Sequence, residues 1–147
     1  MVEVRRAKHK DTPWLFEQIA AFEKFAAYKR PLLVEGPRSQ KILDDLIDNH
    51  VVLIAHDGNL MLGFVAGHSC PHPFNPDIHV LSEIFWWVKD EYRGTSAGAR
   101  LLAAFEAEGK KKSDWIIFSL EHNSPVRDRH LIKRGFRQVE RAYLLEV

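Results

Sequence analysis

Residues 80–109 read VLSEIFWWVKDEYRGTSAGARLLAAFEAEG, and three patterns follow one another in this stretch. The first is a continuous apolar run, which is typical of a strand buried on both faces. Six small residues, 94–99, come next, and then Leu101, Leu102 and Phe105 recur at helical spacing. A strand that leads into a helix in this way predicts a crossover connection to a parallel neighbouring strand.

The rest of the chain predicts a mixed sheet flanked by helices. Alternation favours a first strand at 2–7, and helical spacing favours helices near 12–26 and 38–48. Two β-rich runs, 50–56 and 60–68, are separated by the turn Asp-Gly-Asn, which is a hairpin pattern. The remaining predicted elements are a strand at 78–89, a helix at 96–108 that ends at Gly109, a strand at 114–120, a short helix at 125–134 and one or two strands in the tail 136–147.

This order, β-α-α-β-β-β-α-β-α-β, predicts an α/β (α+β) fold with about six to seven strands and about four helices. A chain of 147 residues is the size of one domain, so we expect a single domain over 1–147. We also expect Ile42, Leu43, Leu46 and Ile47 to form the inner face of the second helix.

Composition argues against several classes of protein. The chain has 21 basic and 20 acidic residues, so it lacks the basic excess of a nucleic-acid or anionic-membrane binder. Its start, MVEVRRAKHK, is charged and does not resemble a signal peptide, and no apolar run approaches the ~20 residues of a membrane span. Cys70 is the only cysteine, which excludes an internal disulfide and favours a cytoplasmic location.

The small residues at 94–99 have two interpretations. At the start of a helix the first backbone amides lack intrahelical partners, and the helix dipole places positive potential there. Small side chains expose these amides, so the stretch suits a phosphate group, and Arg93 adds a positive charge. Alternatively, the stretch is a tight turn that lets the helix pack closely on the strand. The P-loop pattern and the G-x-G-x-x-G dinucleotide pattern are both absent.

Residues 93–98, RGTSAG, resemble the R/Q-x-x-G-x-G/A signature of the GNAT superfamily of acyl-CoA-dependent N-acetyltransferases. Arg93 and Gly98 match the signature, whereas Ser96 stands where its first glycine is usual. About 40 residues further on, HLIKRGF at 130–136 is similar to a second family segment near the C-terminus. The predicted order of elements also matches, so the resemblance covers nearly the whole chain.

The resemblance implies a GNAT fold and acetyl-CoA, or another acyl-CoA, as co-substrate. The acceptor would be a primary amine of a small molecule or a protein, and members of the family often form homodimers. The loop around Phe25, Tyr28, Lys29 and Arg30 would belong to the acceptor-binding region. The implied cofactor-binding residues are Arg93, Gly94, Thr95, Ser96, Ala97, Gly98 and Ala99 for the diphosphate, Trp87 and Val88 for the pantetheine arm where the fourth and fifth strands separate, and Asn123 after the fifth strand.

Glu83 is the candidate general base. A lysine-like amine has a pKa of roughly 10.4, so a base must take its proton before the nitrogen can attack at neutral pH. Glu83 is an acidic residue within an apolar strand, where burial would raise its pKa, and the family often has a catalytic glutamate on this strand. In a regular strand Trp87 would share its face. Alternatively, Glu83 is a solvated charge or an ion-pair partner.

The general acid is harder to identify. Many family members have a tyrosine four residues before the glycine of the second motif, and here that residue is Leu131. His130 lies about 100° away on a helix and is not a simple substitute. Candidates that remain are Ser124, Tyr92 and Tyr143, of which Ser124 alternatively caps the following helix.

Two further hypotheses stay open. The serine in the signature and the leucine at the acid position suit a family member that binds acyl-CoA without catalysis and acts as a regulatory or interaction module. A phosphate-binding domain unrelated to CoA is the second. His68, Cys70 and His72 invite a metal interpretation, but one cysteine among prolines favours an irregular loop, so we expect no metal.

Overall fold

The computed structural model describes residues 1–34 and 36–147, so that only position 35, between the first two predicted helices, lies outside the described residues. It contains one five-stranded sheet with the strands in chain order. The strands are β1 (Glu3–Arg6), β2 (Val51–Asp57), β3 (Leu60–Pro71), β4 (His79–Val88) and β5 (Trp115–Ile117). The helices are α1 (Thr12–Ala26), α2 (Pro37–Asn49), α3 (Ala97–Lys112) and α4 (Arg129–Lys133), with 3-10 turns at His9–Asp11 and Asp90–Tyr92.

The sheet is mixed, as the sequence predicts. Strands β1 to β4 are antiparallel neighbours, and β2 and β3 form the expected hairpin. Strand β5 pairs with β4 in parallel, because α3 carries the chain across the sheet between them. The stretch at 80–109 therefore has the predicted strand, crossover helix and parallel neighbour.

Each face of the sheet is covered by helices. On one face α1 and α2 bury a cluster that includes Leu15, Phe64 and Trp87. On the other face α3 buries Phe105, and Trp86 packs against the same cluster. The adjacent tryptophans thus belong to different cores, and β4 is covered on both sides.

Two glycines are required for packing. An added Cβ at Gly67 would lie 2.5 Å from the Phe105 ring, and one at Gly109 would lie 2.5 Å from Ile116. The prediction that Gly109 ends the helix is therefore wrong, because α3 continues to Lys112 and the glycine lets α3 approach β5. Ile42 is also mispredicted, since its side chain is exposed while Leu43 and Leu46 are buried.

The predicted strands in the tail 136–147 are absent, which lowers the strand count to five. The reason is the short β5, whose three residues offer few backbone groups to a further strand. The tail is held at its two ends instead. The Phe136 ring lies 6.5 Å from the Phe118 ring, and the backbone amide of Lys29 donates to the Glu146 carboxylate at 2.9 Å.

The stretch 68–79, which contains His68, Cys70 and His72 and which the sequence predicts to be an irregular loop, is only partly a loop. Strand β3 continues through His68 and Cys70 to Pro71, where Pro71 pairs with His79 across the sheet. The irregular part is therefore confined to residues 72–78. Its tip carries Phe74, whose side chain is exposed.

Candidate functional site

Strands β4 and β5 diverge at Glu83. Strand β4 pairs with β5 only through Ser82, which lies opposite Ile117. On its other edge β4 has a bulge against β3, because Glu83 lies opposite Gly67 while Phe85 lies opposite Ala66, which leaves Ile84 as an extra residue. Such bulges redirect side chains and are frequent beside active sites. The bulge interrupts the alternation by which Trp87 would share the face of Glu83.

A wide cleft opens where the strands separate. Its walls are the open half of β4, the segment 118–124 after β5, the end of α1 and the tail 136–147. The Phe118 ring lies 5.0 Å from the Trp86 ring and 5.6 Å from the Phe105 ring. It therefore fills the narrow end of the gap between β4 and the segment after β5. The separation near Trp87 and Val88 that the sequence analysis expects is therefore present.

Glu83 lines this cleft, and its side chain is half-buried. Its Oε2 atom accepts a hydrogen bond from the Ser119 backbone amide at 3.3 Å. The pKa of the Glu83 carboxyl is raised to about 8, chiefly by burial and secondarily by the charge of Glu121, against the opposing effect of the Ser119 amide. A carboxyl with this pKa exchanges its proton near neutral pH, which is the range that a general base needs.

Glu121 is joined to the end of α1. The Tyr28 hydroxyl donates to Oε1 of Glu121 at 2.9 Å, and the Asn123 side-chain amide donates to the Phe25 carbonyl at 2.9 Å. Burial raises the pKa of Tyr28 to about 12, and its bond to Glu121 acts in the same direction. Glu121 was not predicted from the sequence, because no local pattern links it to Tyr28, which lies 93 residues earlier in the chain.

The start of α3 is suited to an anion. Gly94 has a φ of +85°, and nothing lies within 4 Å of the position of a Cβ there. The Thr95 hydroxyl donates to the Tyr92 carbonyl at 2.6 Å and fixes the turn. Among the described residues, the backbone amides of Ser96, Gly98 and Ala99 have no hydrogen-bond partner. Free amides at a helix N-terminus fit a diphosphate, so these residues stay candidates for binding it.

The sequence predicts that Arg93 places a free positive charge beside these amides. In the structure its guanidinium has partners elsewhere. Its guanidinium forms an ion pair with Asp90 at 2.9 Å, and Nε donates to the Val88 carbonyl at 3.2 Å. The guanidinium centre lies 4.7 Å from the Trp87 ring centre and 5.3 Å from that of Phe25. Arg93 therefore joins the signature loop to the end of α1, and its charge is partly balanced by Asp90.

Trp87 and Val88 would bind a ligand through their backbone. The Trp87 ring is buried under α1, and its Nε1 donates to Gln18 Oε1 at 3.2 Å. The backbone of both residues lies on the part of β4 that has no β5 neighbour, which is where a pantetheine arm would pair. Both residues stay predictions.

Some of the other residues that the sequence offers for the site stay candidates, and others do not. The Ser124 hydroxyl accepts a hydrogen bond from the Val126 amide at 3.2 Å, and α4 begins after Asp128, so neither Ser124 nor Asn123 caps it. Leu131 is buried and offers no acid, and Tyr143 is 87% exposed in the tail. Ser124 lines the cleft, and Asn123 donates to the Phe25 carbonyl; both stay candidates.

In residues 1–34 and 36–147, no three His, Cys, Asp or Glu side chains come together in a way that would hold a metal ion. None of the helices in the same residues has the length and hydropathy of a membrane-spanning segment.

The family of the chain follows from a match of its sequence to a family model. The model of the acetyltransferase (GNAT) family matches residues 14–136. The chain belongs to the GNAT family. The matched range contains Glu83 and both sequence motifs, and the second motif, 130–136, ends at the last matched residue. Among curated proteins, none matches the chain.

Solved structures share the fold of this GNAT domain. A transcriptional regulator from Bacillus halodurans is similar with a TM-score of 0.79 and 13% identity over 100% of each chain. A predicted acetyltransferase with acetyl-CoA from Clostridium acetobutylicum has a TM-score of 0.76 and 16% identity, covering 99% of this chain and 96% of that one. An acetyltransferase from Trypanosoma brucei has a TM-score of 0.75 and 18% identity over 100% of both chains.

Proposed function

We propose that this protein transfers an acetyl group from acetyl-CoA to a primary amine by direct attack in a ternary complex. The observation that carries the proposal is the Glu83 carboxyl, whose pKa is raised to about 8 at the point where β4 and β5 diverge. The family and the free amides at the start of α3 support it. The Clostridium acetobutylicum relative with acetyl-CoA supports the choice of co-substrate.

Two regions of the chain would bind the two portions of acetyl-CoA. The amides of Ser96, Gly98 and Ala99 would hold the diphosphate, and the open edge of β4 would hold the pantetheine arm. When bound, acetyl-CoA supplies a thioester whose carbonyl carbon accepts the amine nitrogen and whose sulfur leaves as a thiolate.

Glu83 supplies the base. It accepts a proton from the acceptor ammonium, directly or through water, so that the nitrogen has a free lone pair. A general acid is of secondary importance because a thiol has a pKa of only about 8.5 and leaves readily as thiolate. This agrees with Leu131 at the position where many relatives have a tyrosine.

Thermal unfolding with and without acetyl-CoA tests binding of the co-substrate. At 100 times its dissociation constant a ligand adds about 2.7 kcal/mol, which raises Tm by roughly 5–10 °C for a domain of this size. We expect such a shift with acetyl-CoA and none with ADP alone. Equal shifts with both would favour a phosphate-binding domain, and no shift at millimolar acetyl-CoA would overturn the proposal.

A domain that binds acyl-CoA without catalysis is the second candidate, and Ser96 and Leu131 favour it. Release of CoA in the presence of a panel of primary amines separates the two. Amine-dependent release that Glu83→Gln abolishes supports transfer. A full thermal shift with no release for any amine supports the binding module.

A further inference from the structure

The cleft contains a second carboxylate, Glu121, that the proposed transfer does not use. Its Oε1 atom accepts the Tyr28 hydroxyl at 2.9 Å. Its other oxygen, Oε2, has no hydrogen-bond donor among the described residues, and no lysine, arginine or histidine there forms an ion pair with it. Glu121 therefore presents a free carboxylate oxygen in the cleft that contains Glu83.

The position of Glu121 is fixed from two sides. The Tyr28 phenol keeps its proton at neutral pH because its pKa is raised to about 12, so it stays a donor to the carboxylate. The bond from Asn123 to the Phe25 carbonyl ties the same segment to the end of α1. Arg93, the basic side chain beside Phe25, has Asp90 as its own partner. The Glu121 carboxylate is thus held in place, and no basic side chain of the described residues forms an ion pair with it.

The chemistry of transfer indicates what this carboxylate pairs with. The reacting nitrogen gives its proton to Glu83 and is neutral when it attacks, so it has no charge left for a second carboxylate. A charge that persists through the reaction must come from another nitrogen of the acceptor. Charge-assisted hydrogen bonds from an ammonium to a carboxylate are about twice as strong as neutral ones.

We infer that the acceptor is of the diamine class: it carries a second cationic nitrogen, which Glu121, oriented by Tyr28, binds while the first nitrogen reacts at Glu83. This inference rests on the proposed function. It makes Glu121 a determinant of specificity that touches the substrate and takes no part in proton transfer.

The test compares 1,3-diaminopropane with propylamine. Binding to the full chain is followed by NMR chemical-shift titration without acetyl-CoA, for the wild type and for Glu121→Gln and Glu140→Gln. Glu140 is the matched control, because it is an exposed glutamate on the tail wall of the same cleft and its substitution removes the same charge.

We expect the wild type to bind the diamine about tenfold more tightly than the monoamine, as suits one charge-assisted contact. In Glu121→Gln the ratio should fall to about two, the statistical advantage of two equivalent ends, while Glu140→Gln keeps the wild-type ratio. A wild-type ratio of two or less overturns the inference, and so does an equal loss in Glu140→Gln. In Tyr28→Phe, which keeps the charge of Glu121 and loses its orientation, the ratio should lie between those of the other two variants.

Acetyl transfer separates this inference from the proposed function. Transfer to both amines with equal kcat/KM would overturn the diamine inference and support the proposed function. A tenfold preference in binding with no CoA release for these two amines or for any amine of the panel would support the Glu121 site and overturn the proposed function.

Discussion

Asp11 and Glu83 are both shielded carboxyls, and their surroundings shift their pKa values in opposite directions. Asp11 is 5% exposed, its two oxygens accept from the Arg5 guanidinium at 2.8 and 2.9 Å, and the Lys8 amide donates to it at 2.8 Å. The hydrogen bonds from Arg5 hold the pKa of Asp11 below its usual range. Glu83 accepts from one backbone amide at 3.3 Å and has no cationic partner among the described residues, so its pKa is raised to about 8, chiefly by burial.

The difference distinguishes a structural carboxylate from a reactive one. A buried carboxylate with an arginine partner holds its charge and joins two elements, here β1 and the start of α1. A buried carboxyl without a cationic partner has a proton that is easily exchanged near pH 8. The following predictions test whether the groups around Asp11 and Glu83 alone account for the opposite shifts of their pKa values.

Glu83→Gln should have the largest effect. The amide cannot accept a proton from the amine, so kcat should fall by about 10²–10⁴-fold while the thermal shift with acetyl-CoA is kept. Steady-state kinetics with a responsive amine measures the change. Glu17→Gln, an exposed site on α1, should retain wild-type turnover. Unchanged turnover in Glu83→Gln would remove Glu83 from the mechanism.

Asp11→Asn should weaken folding and leave the catalytic step unchanged. Removing the partner of Arg5 leaves a partly shielded guanidinium, and we expect a loss of about 2 kcal/mol in the free energy of unfolding because Arg5 is itself partly exposed. Urea denaturation measures it. Asp57→Asn breaks an exposed pair with the N-terminal amine and should cost at most about 0.5 kcal/mol. Equal losses in the two variants would contradict the structural role of Asp11.

The pH dependence of stability should have opposite signs at the two sites. The pKa of Asp11 is lowered in the folded state, so its contribution is present above the unfolded pKa and is lost as pH falls through the folded pKa. The pKa of Glu83 is raised, so folding is favoured below about 4.5 and loses that contribution as pH rises towards about 8.

Thermal unfolding across this range measures both effects. The deficit of Asp11→Asn should shrink in acid, and Glu83→Gln should gain stability relative to the wild type as pH rises from 4.5 to 8. Parallel pH profiles for the wild type and Glu83→Gln would mean that the Glu83 carboxyl titrates like that of an unfolded chain.

Among the substitutions that test the comparison of Asp11 with Glu83, Glu121→Gln should have the smallest effect. The negative charge of Glu121 contributes to the raised pKa of Glu83 and ranks below burial. Its removal should move the acidic limb of kcat/KM to lower pH without abolishing turnover. An unmoved limb would mean that burial alone sets the pKa of Glu83.

The sequence predicted the framework well because its signals are local. The bounds of α1 match the apolar spacing at 12–26, and the crossover at 80–109 follows from a buried strand, small residues and a periodic helix. Glu83 is conspicuous for the same reason, as an acidic residue within an apolar strand, and its role as the base stays a prediction. These features depend on residues that are neighbours in the chain.

The sequence predicted less where the contacts are distant or the geometry is irregular. The bond between Tyr28 and Glu121 spans 93 residues, and the bulge at Ile84 has no sequence pattern that marks it. Arg93 was expected to face a phosphate, yet a nearby acid and two aromatic rings compete for it. The tail alternates like a strand, but β5 is too short to pair with it.

A carbon NMR titration of the side-chain carboxyls would test the account most directly. The Glu83 and Asp11 resonances are assigned by comparing the wild type with Glu83→Gln and Asp11→Asn, and both are followed in one sample. The account predicts a midpoint near pH 8 for Glu83 and one below the usual aspartate range for Asp11. A Glu83 midpoint near 4.5, the ordinary value for glutamate, would contradict its assignment as the base.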